Sequence, residues 1–133
     1  MNPATNPWTR PQSLAEVAEW SGSMAEFHAH VRDFLHEFRF GPRADRLMAK
    51  PDPLRDRFDE GAVADAYLAA IAVELSLDLG GPRPRWTLDQ SRTLERPWFA
   101  ARSDELRIIL LHESPAGFRE RNLFVSENAL SVA

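Results

Sequence analysis

SMAEFHAHVRDFLHEFRF, residues Ser23 to Phe40, is the stretch whose reading decides the fold. Met24, Phe27, Val31, Phe34, Leu35 and Phe38 recur at three- and four-residue intervals, so a helix gathers them on one face. His28, Arg32, His36 and Arg39 fall on another face, which is expected to be wetter. Ser23 and Glu26 have the spacing of a capping box, in which the hydroxyl accepts from a free backbone N–H and the carboxylate reaches back. Gly41-Pro42 ends the helix, since the glycine relaxes the backbone and the proline removes the next donor.

Upstream, Ser13 and Glu16 repeat the capping-box spacing, predicting a short helix to about Trp20 that stops near Gly22. The first dozen residues hold Pro3, Pro7 and Pro11 among polar neighbours, so residues 1–12 are expected to form a flexible proline-rich arm. Trp8 is the exception, an aromatic that docks on the body, meets a neighbouring chain, or stays exposed.

Downstream, residues 42–60 read as a connection with mixed charges, holding a short helix over Ala44 to Ala49. A solvated loop is the plain expectation and an anion- or partner-binding segment the alternative. Residues 61–79 then carry the second strong helical pattern. Ala64, Leu68, Ile71, Leu75 and Leu79 form a stripe flanked by Val63, Tyr67 and Ala70. Its alanines permit close approach, which makes it the candidate central helix. Gly80-Gly81-Pro82 stops it.

The C-terminal third is less regular. Trp86 precedes Thr87-Leu88-Asp89-Gln90, which has capping-box spacing for a short helix, and Pro97-Trp98-Phe99 turns the chain. Ser103 is placed to cap a helix with Asp104 and Glu105 in its first turn, where carboxylates suit the helix dipole; that helix is expected to bury Leu106, Ile109 and Leu110. The run Arg107 to Leu111 also fits a strand, which would pair with Asn122 to Val125 as a small hairpin; helix is favoured. Ser114-Pro115 resembles a cap with proline at the first helical position, opening a helix through Arg121. Ser126 is expected to cap a last turn.

These elements sum to a mainly α fold: a compact single-domain helical bundle over residues 13–133, with a small two-stranded hairpin near the C-terminus as the variant. A length of 133 residues suits one core. Hydrophobic residues at 44% leave enough apolar mass to fold unaided. Cysteine is absent, and nothing points to an oxidising compartment. With no apolar leader in MNPATNPWTRPQS and with Asp65, Glu74 and Asp78 interrupting the longest apolar stretch, a cytoplasmic protein without membrane contact is expected.

The chemistry that the residues exclude is specific. His28 and His30 project about 200° apart on a helix, and His28 and His36 are separated by roughly 12 Å of rise, so neither pair shares a metal ion. No serine sits in a nucleophile turn, and there is no cysteine. Pro82 follows Gly80-Gly81 where a phosphate cradle needs a donor. No cofactor is expected. A net charge of −4 argues against a broad nucleic-acid footprint. Phe38 to Arg43 and Arg83 to Trp86 interleave basic and aromatic residues only locally, so nucleic acid is not expected to bind this chain alone. The sixteen basic residues are all arginine except Lys50, a bias that GC-rich coding explains and that bidentate recognition of carboxylate or phosphate would also use.

His112-Glu113 is the most interesting polar pair, placed after the apolar run and before a proline. Glu113 bridging to Arg119 or Arg121 would lock the C-terminal turn; the same set would serve a small ligand-binding protein or hydrolase.

The series Arg96-Pro97-Trp98-Phe99, Leu106-Arg107, Glu113-Ser114-Pro115, Phe118-Arg119 and Arg121-Asn122-Leu123-Phe124-Val125, with Asp65-Ala66-Tyr67-Leu68-Ala69-Ala70 and Trp86 before it, resembles a bacterial family widespread in actinobacteria. Its members occur alone or behind helix-turn-helix domains, in regulators resembling the antitoxin half of toxin–antitoxin pairs. The resemblance covers about Asp65 to Ala133 and assigns no catalytic residue. It implies a protein–protein interaction or regulatory module without intrinsic catalysis, whose partner is another protein, an operon-encoded toxin among the candidates. Trp86, Trp98, Phe99, Glu113, Arg119 and Arg121 are the candidate binding residues, being of types enriched at binding hot spots or placed beside them. Core anchoring is the competing role for the two tryptophans.

Overall fold

The computed structural model describes residues 9–131. Six α-helices dominate the described residues: α1 (Leu14–Trp20), α2 (Met24–Phe40), α3 (Asp45–Met48), α4 (Gly61–Asp78), α5 (Asp104–Glu113) and α6 (Ala116–Arg119). Two short strands, β1 (Trp98–Phe99) and β2 (Leu123–Phe124), complete the mainly α fold. Trp8 and most of the N-terminal arm lie outside the described residues. Of its end, Arg10 pairs with Glu37 of α2 at 3.3 Å and Pro11 is buried.

Both serine caps form. Ser13 and Ser23 Oγ accept from the backbone N–H of Glu16 and Glu26, each at 3.2 Å. The two glutamates reach one residue beyond the cap, accepting from Gln12 N–H at 3.0 Å and Gly22 N–H at 2.8 Å. Each helix start thus satisfies two orphan donors. The α2 face turned inward is the one that the spacing selects: Phe27, Val31, Phe34, Leu35 and Phe38 are buried.

Helix α4 is the centre of the molecule. It is buried on nearly every side, from Val63 to Ser76, and it touches α2, α6, β2 and the 85–92 segment. Small side chains let neighbours come close. At Gly117 of α6, an added Cβ would lie 2.9 Å from Glu74 Oε1 and 3.1 Å from Val73 Cγ1. Gly80 takes the left-handed conformation at φ 72° that stops the helix, and Gly81 N–H donates to Ser76 O at 3.1 Å.

Several sequence expectations are corrected. Residues 42–60 are mostly exposed and hold the expected short helix, but they are not only a solvated connection: Leu47 and Leu54 are fully enclosed, and Pro51 is buried. The chain needs a second layer over α4, and these apolar residues supply it. Arg57 donates to the carbonyls of Ala18 and Ser21, closing the end of α1. Thr87 is a buried core residue, donating to Pro84 O at 2.6 Å. Two 3-10 turns, Arg85–Leu88 and Gln90–Arg92, replace the expected helix, with Asp89 as the cap.

The run Ile108 to Leu111 is helical, so no hairpin forms there. The small sheet is parallel instead, pairing Trp98 with Leu123 and Phe99 with Phe124. Asn122, at φ 64°, turns the chain into β2, and its side-chain amide donates to Leu94 O at 2.6 Å. Ser114 does not cap α6, which starts after Pro115.

Candidate functional site

Two features stand apart from ordinary packing: a buried ionic node under the 51–55 segment and an aliphatic helix left in the open. The node is built on Asp65, the one acid on the buried α4 surface. Its Oδ1 accepts from Leu54 N–H at 2.7 Å and its Oδ2 from Arg55 N–H at 3.2 Å. Arg92 lies 3.5 Å from Oδ1, and both side chains are almost completely enclosed. Arg55 adds a second cation at 3.6 Å. Arg92 also donates to Pro51 O at 2.6 Å and stacks over Trp86, 5.1 Å from the ring centroid. Burial lowers the Arg92 pKa, and Asp65 opposes that shift.

Every strong group in the node is already partnered within the fold, so its work is to pin three segments to α4. Trp86 belongs to the same structure, since its ring is buried and its Nε1–H donates to Leu47 O at 2.9 Å. It is therefore a core anchor and not a surface binding residue. Arg121 is likewise buried, donating to Arg92 O at 3.3 Å and pairing with Glu120 at 3.4 Å. Burial lowers its pKa as well.

The other expected site residues do not converge. Glu113 is half-buried and its Oε1 accepts from Glu127 N–H at 3.4 Å, so the expected bridge to Arg119 or Arg121 is absent. Arg119 is exposed. Trp98 packs against the core, half-buried, while Phe99 stacks on Phe124 with centroids 4.8 Å apart. Arg107 of α5 covers the Phe99 ring at 5.6 Å. Thus Phe99 is brought beside α5, and the remaining candidates are dispersed.

Helix α5 is the feature that sequence reasoning misjudged. Its N-cap forms as expected, with Ser103 Oγ accepting from Leu106 N–H at 3.2 Å. Of the three residues expected to be buried, only Leu110 is. Leu106 is 53% exposed, Ile108 57%, Ile109 50% and Leu111 44%. Leu110 itself lies outside the central cluster. Aliphatic residues all around this helix gave no signal of which side faces inward. The helix is held from below by Ser114, whose Oγ donates to Leu110 O at 2.6 Å and accepts from Val125 N–H at 2.8 Å. A tethered helix thus presents four large aliphatics to the outside, a pattern that marks interaction surfaces.

Two open clefts lie elsewhere on the surface. A broad, open one of about 840 Å³ is lined by Arg55, Ser91, Glu95 and Arg96, with opposite charges on its walls. A smaller one of about 280 Å³ lies between α2 and α4, lined by His28, Arg32 and Tyr67. Burial raises the Tyr67 pKa. Among the described residues no group of His, Asp or Glu could hold a metal ion, and no helix is long and apolar enough to cross a membrane. Compared with known proteins, the chain matches no protein family, no curated protein and no solved structure.

Proposed function

We propose that this protein is a protein–protein interaction module of a regulatory, antitoxin-like kind, working in the cytoplasm by laying α5 against another polypeptide. The observation that carries the reading is the exposure of Leu106, Ile108, Ile109 and Leu111 on one short helix. Burying such residues supplies the main favourable term in association, about 25 cal/mol for each Å² of apolar surface removed from water. Ser114 ties the end of α5 to Val125 next to β2, so the helix is held in place before a partner arrives and little ordering cost opposes binding. Phe99 and Arg107 sit at the edge of the same surface and add an aromatic and a cation of the kind found at hot spots. The resemblance of the C-terminal half supplies the class of partner, a protein encoded beside this one.

Co-expression with the products of neighbouring genes, followed by purification through a tag on the neighbour, tests this. A stable complex that is lost when Ile108→Glu and Leu111→Glu are combined in a folded protein is the expected result. Failure of every neighbour to associate, or a complex indifferent to the double substitution, overturns it.

A further inference from the structure

The outward face of α5 has an order that a single exposed helix does not require. Residues 105, 108, 109 and 112 follow the i, i+3, i+4, i+7 spacing of one helical stripe. They read Glu105, Ile108, Ile109 and His112, and all four are exposed. The stripe is self-complementary about its midpoint between Ile108 and Ile109. Reversed, it sets isoleucine opposite isoleucine and glutamate opposite histidine. Leu106 and Leu111 flank it symmetrically, and they exchange places under the same reversal.

We infer that α5 pairs with α5 of a second copy of this chain, antiparallel and about a two-fold axis through the Ile108–Ile109 peptide. This rests on the reading of α5 as an interaction face and names its occupant. An isologous contact requires a surface that matches itself on rotation by half a turn. The stripe meets that requirement with an apolar centre and polar ends that exchange places on rotation. Ile108 of each copy meets Ile109 of the other at the centre. Glu105 faces His112 of the other copy at each end, a polar pair that orients the helices and disfavours the parallel arrangement, where glutamate would meet glutamate. The antiparallel order also sets the helix dipoles head to tail. A parallel pair gains neither.

Area sets the strength. Leu106 and Leu111 lie about 110° to either side of the stripe, so the contact rests on Glu105, Ile108, Ile109 and His112 and stays well below a standard interface's area of about 800 Å² per partner. The dimer is therefore a concentration-dependent one that a tighter partner can displace.

The absence of cysteine allows a direct test in the full chain by single cysteine substitutions and mild oxidation. Ile108→Cys at the centre is expected to cross-link to itself. Glu105→Cys alone is expected to stay monomeric, because the two copies of residue 105 lie about 10 Å apart along the axis. Mixing the Glu105→Cys and His112→Cys proteins restores a cross-link between them. Sedimentation of the unmodified protein should show a dimer fraction that rises with concentration and is lost in Ile108→Glu. Self-cross-linking of Glu105→Cys as readily as Ile108→Cys would mean a parallel pair and overturns the inference. So does a monomer at every concentration with no cross-link at Ile108. A monomer that still captures a neighbouring gene product through α5 leaves the interaction module standing and removes only the second copy.

Discussion

Asp65 and Arg92 face each other at 3.5 Å with 2% and 1% of their side chains exposed, and they join elements 27 residues apart. The pair is asymmetric. Asp65 is also held by two backbone N–H groups and by Arg55, whereas Arg92 depends on Asp65 and on carbonyls. Asp65→Ala strands a buried cation, the buried Leu54 N–H and the part-buried Arg55 N–H, and a loss of about 3–5 kcal/mol is expected. Arg92→Met leaves the aspartate with its other partners and is expected to cost about 1–3 kcal/mol. Urea unfolding of both variants checks the order; equal losses would remove the asymmetry.

That node also shows where the sequence stops being informative. Asp65 is visible as a lone acid among the apolar residues of α4, but nothing local singles out Arg92 from fourteen other arginines. The pairing is a tertiary fact. Helices α1, α2 and α4 were legible because cap, period and stop agree over many residues. The capping box expected at Thr87 does not form, because the threonine is buried on Pro84 O, and Asp89 caps the second turn instead. In α5 the cap and the dipole charges identified a helix, yet leucine and isoleucine on every side hid the inward face. The candidate site was therefore legible as a region, 86 to 125, and not as a surface. Its aromatic and charged candidates follow from residue type alone, whereas Leu106 and Ile109, which the spacing expects to be buried, are exposed.

Gly61 is required by close approach and not by its own dihedral. A Cβ there would lie 1.9 Å from Leu54 O and 2.5 Å from its carbonyl carbon, both backbone atoms. The start of α4 is pressed against the segment that Asp65 holds, and neither can yield without breaking those hydrogen bonds. Gly61→Ala is expected to destabilise by at least about 2 kcal/mol. Gly81→Ala, with open space around it, should stay within about 0.5 kcal/mol of the parent. Thermal unfolding of the two variants side by side makes the comparison, and similar midpoints would sink it.

Tyr67 gives a pH dependence whose sign is fixed. Burial raises its pKa above the usual 10.0 because the phenolate is the form penalised. Below pH 10 the phenol is neutral in both folded and unfolded chains, and this contribution to stability is fully present. As pH rises through the folded value the folded chain must ionise a buried group, and the contribution is lost. Tyr67 is the one tyrosine in the chain, so its phenolate absorbance reports this titration alone. The absorbance midpoint is expected above that of free tyrosine, and Tyr67→Phe should flatten the alkaline loss of stability. A midpoint at or below the free value contradicts the burial.

Helix α5 separates folding from association within four residues. Leu110 is its one buried side chain, 7% exposed, and Ile108, two residues before it, is 57% exposed. Removing buried methylenes costs the transfer energy and leaves a cavity, so Leu110→Ala should lose about 2–4 kcal/mol. Ile108→Ala removes atoms that already face water and should change monomer stability by less than about 0.5 kcal/mol. Ser114→Ala leaves the buried Val125 N–H without its acceptor and cuts the bonds joining the end of α5 to Val125, so it should cost about 1–3 kcal/mol and speed amide exchange most in α5. Exchange measured residue by residue distinguishes the three. If Ile108→Ala unfolded the isolated chain as much as Leu110→Ala did, α5 would be a core helix and its aliphatics would have no surface to offer.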